Sequence, residues 1–505
     1  MDAIETLRQE VREGKISADR LIDLIAAFQR QVQTLQQHLE AANQRIEELE
    51  KRLGGPSTPK LDEPFSLRAE EQRQEARGKK KRKEKGKRRH GRFNTRDKIA
   101  QAERTERVFP EGLPPEACQR SHVRPVWRLE NGRALLIAYE IYRGPKNQYG
   151  KIPGVLGRSE FGLEIVTEIA YLVYIVGLSF DKVCMLLNFF QNLCLHKSQA
   201  DALLYQLSRH WQREFDALCT LLANSLVVHA DETGWSLNSV WAFLSEKARI
   251  LLFGVHKDAD TLKRVLDPAT FAGLVFSDDA ATYANFSNSQ KCWAHLLRKA
   301  IKLTLQDPNN AEYRSFTDRL LEIYHEACRV QHDRRLGDEG RARKVVVLDD
   351  EIFDLCAALW FADLPPLEGL DNDYRLLVKE VMRLAIAKEL FTFVTAKPVD
   401  QPNGTTKPVD GTNNEAERTL RGAAQARLTG RTNKTLAGAR RQTILTSVLE
   451  SLRLYLKNFT LASVIDEMKR WWATGDSCFT KLLKKCRLAL PEQSILDLIV
   501  PSPSG

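Results

Sequence analysis

Between positions 226 and 293 the chain alternates short apolar runs with short amphipathic pieces, and carboxylates interrupt the ends of two of those runs. The runs are LVVHAD from Leu226, SVWAFLS (Ser239–Ser245), ILLFGVH (Ile250–His256), GLVFS (Gly273–Ser277) and a brief stretch near Lys291 to Trp293. Branched and aromatic residues in runs of this length predict strands. Asp258 to Leu266 reads as a short helix, and AHLLRKAIKLTL as a longer one. Three meandering strands followed by alternating units predict a mixed-sheet α/β domain. The first strand ends in Asp231-Glu232 and the fourth in Asp278-Asp279. In an open sheet these two strands can lie side by side, with their carboxylates at one edge. A turn explains such acids equally well in isolation.

Two carboxylates at a sheet edge suit hard divalent ions, which take oxygen ligands and serve phosphoryl transfer as a pair. A third acid is expected from a helix beside the sheet. The stretch GTNNEAERTLRGAAQARLTGR starts at Gly411, and Asn413 and Asn414 are suited to capping a helix. Glu415 and Glu417 stand two apart and so point to different faces. Ala416, Leu420 and Ala424 mark the expected buried face, which Glu417 borders. Spacing leans towards Glu417 without deciding, and both acids also suit a helix N-terminus. From Arg418 to Glu450 no further acid appears, while Arg418, Arg421, Arg427, Arg431, Lys434, Arg440 and Arg441 accumulate. Beside a metal site, such a basic run suits a phosphodiester substrate. His295 and Arg298, near a helix start, are candidates for phosphate contact, although a cap or a pocket filler is the stronger reading of His295. A Cys292–His295 metal pair lacks partners in the sequence.

The 505 residues carry a net charge of +10 and a pI near 9.0, which favours a polyanionic partner. Nine scattered cysteines without a CxxC suggest reduced thiols. No apolar signal region opens MDAIETLRQE, and the most apolar stretch, Ile169 to Phe180, is too short to span a bilayer, so a cytoplasmic protein without a membrane partner is expected. Ile25, Val32, Leu39, Ile46 and Leu53 fall seven apart, interleaved with Leu21, Phe28, Leu35, Ala42 and Leu49. These rows predict a coiled coil over 1–54 and a homodimer through it. The linker 55–107 contains RGKKKRKEKGKRRHGR, with eleven Lys or Arg and one acid. Lys79, Lys80, Lys81, Arg82, Arg88 and Arg89 are candidates there for sequence-independent, salt-sensitive contact with nucleic acid. Residues 108–160 read as a small strand-rich segment with turns at Asn131-Gly132 and Gly144-Pro145. Its Cys118 and His122 are half of a zinc site, and zinc is not expected. Residues 161–222 read as helices broken at Gly177-Leu178-Ser179, with Ser198 capping a third; a DNA-reading helix-turn-helix and a plain bundle both fit. The sheet region spans 223–302 and 401–457, divided by a helical segment, 303–400, and followed by a helical tail, 458–505. The repeated KPVD at Lys397 and Lys407 reads as a loop duplication.

Three ordered motifs resemble transposases of the insertion sequence sixty-six family: HADETGW, SDDAATY ahead of CWAHLLRK, and TNNEAERTLR followed by AGAR and SVLESLR. The resemblance covers about Phe161 to Asn458. It implies an RNase H-like catalytic domain with a helical insertion before the last acid, and a DDE triad of Asp231, Asp278 and Glu417. It further implies two Mg2+ ions, for which Mn2+ can substitute, acting on double-stranded DNA as transposon ends and target. A bacterial, nucleoid-associated protein and accessory proteins of the same element also follow from it. Asp279 stands where the family usually has glycine, while Tyr283 keeps the family spacing from Asp278. A catalytically silent DNA-binding relative and a nuclease that cuts without joining are the rival readings.

Overall fold

The computed structural model describes residues 95–362 and 368–499. The chain divides into two units, Met1–Lys79 and Lys80–Gly505, and every described residue belongs to the second. The heptad segment and the basic cluster Lys79, Lys80, Lys81, Arg82, Arg88 and Arg89 lie outside the described residues.

Helix α1 (Thr95–Ala100) precedes a three-stranded sheet of β1 (Arg104–Val108), β2 (Gln119–Glu130) and β3 (Arg133–Arg143), in the order β1-β3-β2. Asn131 and Gly132 turn the β2–β3 hairpin with φ of 50° and 75°. Two successive left-handed residues match the twist of the flanking strands, and Asn-Gly reaches them at least cost. Cys118 bonds to the Pro114 carbonyl, and His122 lies beside Ser121 and the Tyr149 ring.

Three helices follow, α2 (Leu163–Tyr174), α3 (Phe180–Gln191) and α4 (Lys197–Ala223). Ser179 caps α3 by accepting from the Lys182 N–H. The third helix begins one residue before the expected cap Ser198: His196 is the N-cap, and Gln199 reaches back to its N–H at 3.0 Å. Helix α4 is buried along much of its length, whereas α3 buries only Val183, Leu187 and Gln191. Met185, Phe189 and Phe190 of α3 are exposed.

The main sheet has five strands, β4 (Val227–Gly234), β5 (Ser239–Ser245), β6 (Arg249–Val255), β7 (Leu274–Ser277) and β8 (Ser289–Lys291), with helix α5 (Ala259–Val265) before β7. Their spatial order is β6-β5-β4-β7-β8. The β4–β5 and β5–β6 pairs are antiparallel; β4–β7 and β7–β8 are parallel. The fifth strand thus ends at Lys291 rather than Trp293, because Trp293 already opens the next helix.

That helix, α6 (Trp293–Gln306), leads into α7 (Ala311–His332), α8 (Asp338–Trp360), α9 (Gly369–Ile386) and the single turn α10 (Thr392–Thr395). Their apolar faces form one core that continues onto Val227, Leu274 and Phe276 of the sheet. The charged stretch from Asp338 is helical, since its charges face solvent while Leu348, Ile352 and Cys356 face the core. The first KPVD copy pairs with the start of the second in a small antiparallel hairpin of β9 (Val399–Asp400) and β10 (Thr406–Lys407). Helix α11 (Asn414–Leu428) then packs on β4 and β5, and α12 (Leu436–Tyr455) on the edge strand β6.

The β6 edge is closed in an uncommon way. Thr443, Ser447 and Ser451, one turn apart on α12, accept from the backbone N–H groups of Phe253, Leu251 and Arg249 at 3.0, 2.9 and 2.9 Å. Hydroxyls supply the partners that another strand would provide, and the edge is covered. Helices α13 (Leu461–Thr474) and α14 (Cys478–Lys485) finish the unit. Trp471 of α13 meets Trp211 of α4 edge-on, and Ser477 bonds to the buried Glu214.

Candidate active site

Alternation along β4 sends Asp231 and Glu232 to opposite faces. Glu232 is buried and structural: it accepts from the Tyr283 hydroxyl at 2.5 Å and pairs with Lys257 at 2.9 Å. Asp231 shares its face with His229, whose ring stacks on Phe276 of β7 at 4.5 Å. The β4–β7 register pairs His229 with Phe276. Two residues further along parallel strands, Asp231 stands opposite Asp278.

Glu417 reaches this edge from the first turn of α11. Asn413, the N-cap residue, is buried and does not use its side chain to cap the helix. Its amide donates to the Ala230 carbonyl at 2.8 Å, its Oδ1 lies 3.2 Å from His229 Nδ1, and its backbone N–H meets Cys292 Sγ at 3.1 Å. One residue therefore joins α11 to β4 and to the start of α6. The buried face of α11 is Ala416, Leu420 and Ala423, one position from the Ala424 that spacing suggested.

The charges of Asp278 and Glu417 both reach Asp231. The Asp231 carboxyl is pushed up to about 7 by burial and then by the negative charges of Glu232, Asp278 and Glu417, against the opposing Glu232 N–H. Among the described residues neither Asp231 nor Asp278 has a basic group within 4 Å. Burial works to raise Glu417 too. The bidentate Arg298 guanidinium, at 3.0 and 2.6 Å, outweighs it, and with His295 and Arg421 nearby the carboxyl sits below its ordinary range. Burial holds His295 below its ordinary value, and the charge of Arg298 adds to this.

The alternative acids are committed elsewhere. Asp279 pairs with Arg383 of α9. Glu415 pairs with Arg249 of β6 and lies 3.8 Å from Lys407. A cleft of about 380 Å³ opens beside Asp278, lined by Lys291, Cys292, His295, Lys299 and Glu380. Lys291 is buried and reaches Ser277 Oγ at 3.2 Å. Sequence reasoning passed over His229 and Lys291, and took Asn413 for a cap. Alternation from Asp231 back to His229 was a usable signal; nothing local marked Lys291, nor the tie from Asn413 to β4.

Of the basic candidates, Arg298 is spent on Glu417. Arg418 and Arg421 are exposed on α11. Arg427 donates to the Gly234 carbonyl at 2.9 Å, and Arg431 to the Gly177 carbonyl at 2.6 Å. Arg418 and Arg431 line a groove of about 680 Å³ between α11 and the α2–α3 turn.

Three oxygen-donor carboxylates, two of them without a basic partner and one, Asp231, raised mainly by burial with added charge from its neighbours, form a donor set that a hard divalent cation would relieve. A family model described as the transposase IS66 family matches residues 158–441, more than half of the chain. The chain belongs to the IS66 transposase family. That match takes in all three carboxylates and the helices packed between the second and third. It makes the protein a DNA-processing enzyme in the general sense, with DNA as its partner. No curated protein matches the chain. Among the described residues, no helix of this IS66-family protein is long and apolar enough to cross a membrane.

Proposed function

We infer that the protein is a DDE transposase in which Asp231, Asp278 and Glu417 hold two Mg2+ ions, with Mn2+ able to substitute. The observation that carries this reading is the position of Asp278 and Glu417 beside the buried Asp231, where their charges add to the burial and the Glu232 charge that push its carboxyl up to about 7. A strand order of β6-β5-β4-β7-β8, with Asp231 within β4, which runs on to Gly234 beyond the end the sequence suggested, and Asp278 directly after β7, supports an RNase H-like core. Bound ions would neutralise developing charge and lower the pKa of the attacking water or hydroxyl.

The chain's own residues provide position. Strands β4 and β7 fix Asp231 and Asp278 on rigid elements, and Asn413 fixes the height of Glu417 against β4. The exposed Arg418 and Arg421, with Arg427 and Arg431 further along, would contact the DNA backbone. Water attack at a transposon end releases a 3′-hydroxyl, which then attacks a target phosphodiester in line and displaces a 3′-oxygen. No covalent protein intermediate is required, and catalysis rests on orientation and charge. A homodimer joined through residues 1–54 would bring two ends together, with the basic linker holding DNA. Accessory proteins of the same element and a nucleoid-associated, cytoplasmic location complete the proposal.

Labelled DNA carrying the ends that flank the gene tests it. Wild type and Asp231→Asn are compared with Mg2+ and with EDTA, and cleavage and joining are read on one gel. Mg2+-dependent joined products that vanish in the variant are expected. Cut products without joining would indicate a nuclease, and binding without products a silent relative.

A further inference from the structure

Cys292 and His295 have no metal-binding partner nearby in the sequence. The fold supplies one from more than a hundred residues away: a ligand atom from each of Cys292, His295 and Glu417 lies within 4.8 Å of the other two. Cys292 is the N-cap of α6, and His295 stands one turn on, so both side chains leave the same end of the helix. His295 Nδ1 is buried without a hydrogen-bond partner and lies 3.6 Å from Glu417 Oε1. The sulfur is buried and faces the backbone N–H groups of Asn413, His295 and Ala294.

We propose that Cys292, His295 and Glu417 form a binding site for one Zn2+-class ion, separate in chemistry from the hard-ion site of the triad. Thiolate, imidazole and carboxylate are the donor types such ions select, and Mg2+ does not seek the first two. One thiolate and one carboxylate balance the two positive charges. Burial holds the free Cys292 thiol above its ordinary value, partly opposed by the backbone N–H groups that face the sulfur, so a bound ion would have to displace its proton, and Arg298 remains on Glu417 as an outer partner that orients it. The three donor atoms all lie within 4.8 Å of one another, and a tetrahedral ion would draw them to about 3.3–3.8 Å apart. Three protein ligands leave the fourth position to water. Glu417 belongs to both sites, so a soft ion here withdraws the third acid from the triad. That consequence rests on the proposed function; the site itself does not.

Co2+ is the probe, because a thiolate ligand gives it a charge-transfer absorption that oxygen ligands do not. Metal-free full-length chain is titrated with Co2+, and Zn2+ is then added as competitor. One equivalent is expected to produce the thiolate band and tetrahedral ligand-field bands in wild type and in Asp231→Asn, and Zn2+ to abolish both. Cys292→Ser should remove the thiolate band, and His295→Ala should weaken Co2+ binding at least tenfold, each with an unchanged circular dichroism spectrum. If Cys292→Ser unfolds, His295→Ala alone decides. Absence of the band in wild type, or its survival in Cys292→Ser, overturns the proposal. Should wild type lack the band while Asp231→Asn still loses Mg2+-dependent cleavage, the soft-ion site falls and the proposed function stands.

Discussion

At the scale of single residues, two acids in each motif look alike in sequence and have separate fates in the fold. Asp231 carries a raised carboxyl, so the folded protein retains a proton up to about pH 7 that the unfolded chain releases near 3.8. Stability of the metal-free protein therefore declines as pH rises through that window. Asp231→Asn cannot ionise. In EDTA it should be more stable than wild type by ~2 kcal/mol at pH 8, with the gap closing towards pH 4. Denaturant melts at the two pH values check this. Mg2+ should stabilise wild type and not the variant. The Glu415 and Glu417 pair separates in the opposite sense. Glu417→Gln should abolish cleavage at a stability cost below ~1 kcal/mol, because its Arg298 partner is half exposed. Glu415→Gln should cost ~2 kcal/mol by leaving the largely buried Arg249 with only Glu450, at 3.9 Å. It should retain most of the cleavage. Paired melts and gel assays distinguish the two, and equal losses of activity would remove the assignment of Glu417.

At the scale of elements, helix α12 decides how the sheet ends. Its hydroxyl row gives β6 a covered edge, and each hydroxyl is matched to one strand N–H. Ser447→Ala leaves the buried Leu251 N–H unpaired and should destabilise the unit by ~1–3 kcal/mol. Ser447→Thr, which keeps the hydroxyl, should recover part of that loss where the extra methyl fits. Thermal melts of both variants read the difference; an Ala variant as stable as wild type would show that the row contributes nothing. The same unit shows how an element positions chemistry. The Asn413 amide on the Ala230 carbonyl ties the start of α11 to β4, and Arg427 on the Gly234 carbonyl ties its other end.

At the scale of the whole molecule, charge is segregated. The basic block from Arg77 to Arg92 and the acid-free run from Arg418 to Leu449 are far apart in sequence, while the triad between them is acidic. Deleting residues 77–92 should weaken binding to any DNA roughly alike, and should flatten the dependence of log affinity on log salt by several phosphate equivalents. Arg418→Ala with Arg421→Ala should flatten it by about one to two. Fluorescence anisotropy over a salt series measures both, and an unchanged slope after the deletion would assign the block to something other than DNA.

The five main strands, the Asn131-Gly132 turn and the break before Phe180 were legible in the sequence because local rules determine them: strand length, alternation, the scarcity of residues that accept left-handed φ, and a serine cap. The pairing of Asp231 with Asp278 followed from ordering the strands. By itself, then, the sequence determined where most elements lie and which acids were available. Only the tertiary structure shows that Glu415 pairs with Arg249 and Asp279 with Arg383, because those partners come from a strand and a helix far along the chain. It also decided that Asn413 is a tie to β4 rather than a cap, and that Cys292 and His295 stand beside Glu417. Pattern along a chain reports periodicity within one element. The energy that selects a partner lies in the contact between two, and that contact exists only once the core has closed around it.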